Sequence, residues 1–139
     1  MGSRPGPVEI MWQHGAEAFA FLTEEWDFTG PELTDAGIAF HRPDLHVDVE
    51  IWAWKNEAGF TTGVRRVDPA TGEQQAAGLD RLYVECGLGP PQHVPENLGG
   101  GHTIVKRLTQ HARALQLLMP YLTGPAAAAL FHRCRSGPR

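Results

Sequence analysis

The sequence predicts an α+β domain, in which an antiparallel sheet of three or four strands carries an N-terminal helix and C-terminal helices packed on one face. Three observations predict it. The stretch Leu45 to Lys55, LHVDVEIWAWK, alternates strictly, with Leu45, Val47, Val49, Ile51 and Ala53 on one side and His46, Asp48, Glu50, Trp52 and Trp54 on the other, which is the period of a half-buried strand. Ahead of it, Val8, Trp12, Phe19, Leu22 and Trp26 recur at helical spacing, with Gly15 or Ala16 continuing the stripe and Glu9, Gln13, Glu17 and Glu24 turned away. After it, Ile104 or Val105, Leu108, Ala112, Leu115 and Leu118 or Met119 mark the core face of a second long helix, His102 to Met119.

The remaining elements follow in order. Residues 1–7, MGSRPGP, have no apolar pattern and read as a disordered terminus ahead of a single domain spanning 8–134. The first helix should stop in DFTGPEL, where Gly30 and Pro31 block continuation. A short strand over Gly37 to His41 and the turn RPD lead into the alternating strand. Asn56 to Gly59 forms a polar turn before the β-prone FTTGVRRVD. With Glu57 and Ala58 at the centre of that turn, Ile51 faces Val64, Trp52 faces Gly63 and Glu50 pairs with Arg65. DPATG is a further turn, and a final strand at about Glu73 to Ala77 pairs back. LDRLYVECGLG reads as a helix stopped by Gly87, and Gly89 to Gly101 is the longest aperiodic run, expected on the surface and over any functional site. Pro120 ends the long helix, AAAALFHRC makes a last short one, and 135–139 is a polar tail.

Composition narrows the function classes. A chain of 139 residues with two cysteines, Cys86 and Cys134, in no C-x-x-C arrangement suits reduced thiols in a cytoplasmic protein, a disulfide being the minor alternative. The early apolar run AFAFL is too short for a signal peptide or a membrane span, so no membrane partner is expected. A formal charge of −4 and scattered arginines exclude a phosphate-neutralising surface, and with it nucleic acid. The 16 glycines and 11 prolines, well above the roughly 12 per cent of ordinary usage, predict prominent loops.

Four groups of residues could carry function. The even-numbered face of the strand, His46, Asp48, Glu50, Trp52 and Trp54, could present indoles and carboxylates to a protein partner or a cation. Its alternative is burial of both tryptophans under a helix of the same chain. The GGGHT run, Gly99 to Thr103, places glycines before a helix N-terminus with Lys106 and Arg107 one turn in, a weak anion-site pattern that equally makes a hinge capped by His102 or Thr103. The seven histidines show no metal-ligand spacing, so neither a metal nor another cofactor is expected. His93, His102, Glu85 and Cys86 lie on neighbouring segments but match no nucleophile motif and make no triad.

The segment FLTEEWDFTGPEL with FHRPDLHVDVEIW, within Phe21 to Arg66, resembles small bacterial α+β proteins of actinobacterial kind, some of them proposed as immunity-type partners. The resemblance implies an N-terminal helix against an antiparallel sheet and no catalytic residue. The reading of the whole chain is a non-enzymatic module binding a protein partner, or itself, through His46, Asp48, Glu50, Trp52 and Trp54. The rival is a small enzyme or ligand-binding protein with a pocket at the Gly89 to Gly101 loop, using His93, His102, Thr103, Lys106 and Arg107.

Overall fold

In the computed structural model, residues 6–55, 57–98 and 101–135 are described, apart from the side chains of Trp54, Gly101, His102 and Arg135. Residues 1–5 of the expected disordered terminus, nearly all of the polar tail, the turn residue Asn56 and two glycines of the GGGHT run lie outside this set; Gly6 and Pro7, expected in that terminus, instead cap and open the first helix.

The helices are α1 (Pro7–Ala18), α2 (Ala20–Glu25), α3 (Leu79–Glu85), α4 (Gly101–Leu122) and α5 (Ala127–Arg135), and the strands are β1 (Thr29–Leu33), β2 (Gly37–Arg42), β3 (Leu45–Trp54), β4 (Glu57–Val67) and β5 (Gln74–Gly78). The sheet is a five-stranded antiparallel meander in chain order. It therefore exceeds the expected three or four strands. The extra one is β1, in which Pro31 occupies an edge position where its missing N–H removes no ladder bond; read by residue type alone, its Gly-Pro pair signals only a stop.

The expected first helix is two. Phe19 breaks it with φ −104° and ψ 18°. In one continuous helix Phe21 would point about 200° away from Phe19, whereas the break buries Phe19, Phe21 and Leu22 together, with Phe19 against Phe21 and Phe40 at centroid distances of 6.2 and 5.9 Å. The buried stripe of α1 is accordingly Met11 and Gly15, not Val8 and Trp12. Gly15 lets α1 lie against Ile38 of β2, where a Cβ would collide with the isoleucine. Trp12 stays partly exposed and donates its indole N–H to the Gly37 carbonyl at 2.9 Å.

The helix α4 runs past Pro120 to Leu122. A proline in a helix interior costs about 3 kcal/mol. Burial of Leu118, Met119 and Leu122, at about 1.5–3 kcal/mol for each side chain, outweighs it.

The β3–β4 register differs from expectation by four residues. Ile51 faces Phe60, Glu50 faces Thr61, Trp52 faces Gly59 and Arg65 faces His46, leaving a two-residue connection that begins at Lys55 with φ 55°. The expected Glu50–Arg65 pair does not form. Because four is even, each residue keeps its face. Leu45, Val47 and Val49 of β3, with Phe60, Thr62 and Val64 of β4, are buried on the side where α1, α3, α4 and α5 pack. Ile51, expected in the core, only partly enters it.

Phe40→Ala should lower unfolding stability by about 3–5 kcal/mol and Ile51→Ala by distinctly less, as measured by urea denaturation. Equal losses would contradict the difference between full burial of Phe40 on β2 and partial burial of Ile51 on β3.

Candidate functional site

The even-numbered face of β3 grades from half-buried to exposed along the strand. His46 and Asp48 are half-buried, while Glu50 and Trp52 are exposed, Trp52 by 43 %. Trp54 pairs with Glu57 in the register, and its side chain is among those not described. The neighbours of this row are small: Asp48 lies between Ala39 and Gly63, Gly63 faces Gly78, and Arg65 faces Ala76. Space above Gly63 is open, and Asp48, Arg65, Ala76 and Gly78 rim a shallow hollow of about 380 Å³.

The two ends of the face differ in charge. At one end His41 and His46 meet across β2 and β3, with Nδ1 to Nδ1 at 2.8 Å and the rings nearly perpendicular. One Nδ1 must donate and the other accept, so the contact cannot survive protonation of both rings. Desolvation holds His46 below the usual imidazole range, and Arg65 and His41 push the same way against Asp48. His41 Nε2 is buried without a hydrogen-bond partner and lies 3.8 Å from the Glu32 carboxylate.

At the other end the indole of Trp52 lies across Gly59, where any Cβ would strike its ring. Beyond Gly59, on the stretch of the β4 edge that β5 leaves free, the expected surface loop is drawn in. Asn97 bridges Gly59, Phe60 donates to the Glu96 carbonyl at 2.7 Å, and Val94 is buried. The result is a cavity of about 470 Å³ lined by Trp52, Glu57, Ala58, Glu96, Asn97 and Leu98.

Two buried polar side chains of α4 hold that loop. His111, fully buried, donates from Nε2 to the Pro95 carbonyl at 2.7 Å, which leaves Nδ1 to accept from the Thr62 hydroxyl at 2.8 Å. Arg107, 8 % exposed, donates to the Asn97 carbonyl at 2.8 Å, to its side-chain oxygen at 3.2 Å and to Gln110 at 2.8 Å. Sequence reasoning missed the His111 clamp. Its only signal was an imidazole beside Ala112 on the apolar stripe of a helix.

Burial lowers the His111 pKa to about 4. The neutral ring is thus the form that the folded state binds.

Of the residues expected in the rival pocket His93 lines a cleft, and the side chain of His102 lies outside the described set. His93 accepts or donates at Nδ1 to the Tyr83 hydroxyl, 2.8 Å away, in a cleft of about 440 Å³ that also exposes Gln92, Gln110, Arg113 and Leu117. Thr103, Lys106 and Arg107 do not line it: Thr103 is buried, Lys106 is exposed and Arg107 is engaged with Asn97. Cys86 and Cys134 are free, and burial pushes both thiols above their usual range, which disfavours the thiolate a nucleophile requires. Among the described residues no group of three potential ligands could hold a metal, and no helix is long and apolar enough to cross a membrane.

Because the folded-state pKa of His111 is depressed, its contribution to stability is complete above about pH 6.5 and is lost as pH falls toward about 4, amounting to about 2–3 kcal/mol. Urea titrations of wild type and His111→Gln at pH 7 and 4.5 should show this loss in wild type only, over the carboxylate background common to both. Separately, the His46 ring should titrate below 6.5 by NMR, and Arg65→Gln should raise its midpoint; an unmoved midpoint would remove Arg65 from the causes.

No family model, curated protein or solved structure matches this chain.

Proposed function

We propose that this protein is a non-enzymatic, cytoplasmic protein-binding module of accessory or immunity type, whose partner lies on the open face of the sheet. His46, Asp48, Glu50, Trp52 and Trp54 form its central row. The observation that carries the reading is Trp52: a large indole at the sheet surface, 43 % exposed, seated on a glycine and outside the core formed by the described residues. An exposed indole contributes little to the fold and supplies much apolar area on association.

Two further features support it. The small residues beside Asp48 leave a hollow for a protruding group, and the unlike ends, imidazoles and Arg65 at one and Glu50, Glu57 and Trp52 at the other, give a partner one preferred direction. The cleft at His93 offers a Tyr83 hydroxyl and an imidazole, but no activated nucleophile accompanies them.

Affinity capture from a bacterial host with wild type and Trp52→Ala, checked for equal thermal melts, tests the reading, with sedimentation to detect a second copy as the partner. Association should weaken by about 2 kcal/mol, roughly 30-fold. Partners retained with equal affinity by the variant would refute the use of this face.

A further inference from the structure

We infer that the cavity beside Trp52 is a receptor for a single basic side chain, a lysine or arginine of the bound protein, with Glu57 and Glu96 as its counter-charges and the indole as its wall. This rests on the protein-binding reading and names the chemistry of the group that reading would bring to the acidic end of the face.

The geometry begins with Gly59. The absence of a Cβ there allows the Trp52 ring to lie against the β4 backbone, so one side of the indole is packed and the remainder faces the cavity and solvent. A ring held in this way can take a cation over its face without losing rotamer freedom on binding. Glu57 approaches from the end of the hairpin and Glu96 from the captured loop. Glu96 is held in place from both sides: its carbonyl accepts from Phe60, while Pro95 and Asn97 are fixed by His111 and Arg107. The second carboxylate is therefore delivered by buried, satisfied hydrogen bonds and not by a freely moving loop.

Charge decides the occupant. Among the described residues no lysine, arginine or histidine lines the cavity, and neither Glu57 nor Glu96 takes part in an ion pair. Two uncompensated carboxylates beside an indole repel an anionic group and gain little from a neutral apolar one. They favour a cation that can place its stem along the ring and Leu98 and its head between the two acids. A volume of about 470 Å³ accommodates one such side chain and its hydration, not a folded element.

The test uses the full chain labelled with ¹⁵N, the Trp52 indole N–H resonance being assigned by its loss in Trp52→Phe. Acetyl-Gly-Lys-Gly-amide, its arginine counterpart and the norleucine peptide serve as probes. At low salt a basic peptide should shift this resonance saturably, with the norleucine peptide at least about tenfold weaker. Glu57→Gln with Glu96→Gln should reduce the response to the basic peptides about tenfold while leaving the melt intact, and Gly59→Ala should displace the indole and weaken binding with both acids present. Equal response to norleucine, or none to either basic peptide, overturns the receptor. If Trp52→Ala loses a captured partner while the basic peptides give no response, the binding face stands and the basic-side-chain receptor falls. If the peptides bind but partner capture is unaffected, the cavity chemistry stands and the partner docks elsewhere.

Discussion

All the helices that pack on the sheet lie on one side of it, and that one-sidedness is the constraint on which the rest depends. Val47 and Val49 of β3 and Phe60 and Val64 of β4 require burial, and α1, α3, α4 and α5 supply it. Strand periodicity then leaves His46, Asp48, Glu50 and Trp52 on the opposite surface, outside the hydrophobic core of the described residues. A solvated face needs only to be soluble. This one instead combines a seated indole, a hollow beside Asp48 and a pair of imidazoles in contact, features that soluble packing does not call for.

The backbone at the edges of the sheet follows from the same arrangement. On the β1 side, Pro31 blunts the free edge, since a proline cannot donate to an incoming strand. On the other side β5 covers β4 only from Gly63 to Val67. The exposed beginning of β4 would offer unpaired N–H and C=O groups at Ala58 to Phe60, and the loop from Pro95 to Leu98 satisfies them. Edge protection and construction of the Trp52 cavity are thus one event.

How much of this was legible in the sequence depended on the range of the interaction that fixes each part. The faces of β3 and α4 were legible because periods of two and 3.6 are local, and most of the residues assigned to them kept their side. The hairpin register was not. Asn56 to Gly59 carries the residue types of a turn, yet Gly59 is needed under Trp52, a cross-strand demand, while Lys55 supplies the positive φ without any sequence signal for it. The error of four residues preserved the face and lost the Glu50–Arg65 pair. Phe19 was legible as apolar but not as a break, because its reason is the three-way burial with Phe21 and Phe40. The candidate face was recognised from its unusual composition; Glu57 and Glu96 were missed because they join Trp52 only through the hairpin and the captured loop.

The loop could not have been held by apolar side chains alone, because the segment that covers the β4 edge presents its backbone carbonyls inward. Carbonyl oxygens removed from water need donors, and a helix packed behind them can supply donors only from long or ring side chains. Arg107 and His111 fill that role from the same face of α4, one turn apart, and their chemistry is unequal. Every nitrogen of the guanidinium serves Asn97 and Gln110 as a donor and none is required to accept. His111 binds Pro95 and Thr62 together only as the neutral ring, for when both nitrogens carry protons Nδ1 can no longer accept the Thr62 hydroxyl. Acid therefore strains the clamp first at the β4 contact of His111, while the Arg107 arm still holds Asn97 against Gly59. The carboxylate of Glu96, lying between the two arms, inherits the difference: its position is most secure where the imidazole is neutral, while burial, with the Asp80 charge adding to it, pushes its own pKa up, so the clamp sets before the full charge that attracts a cation is in place.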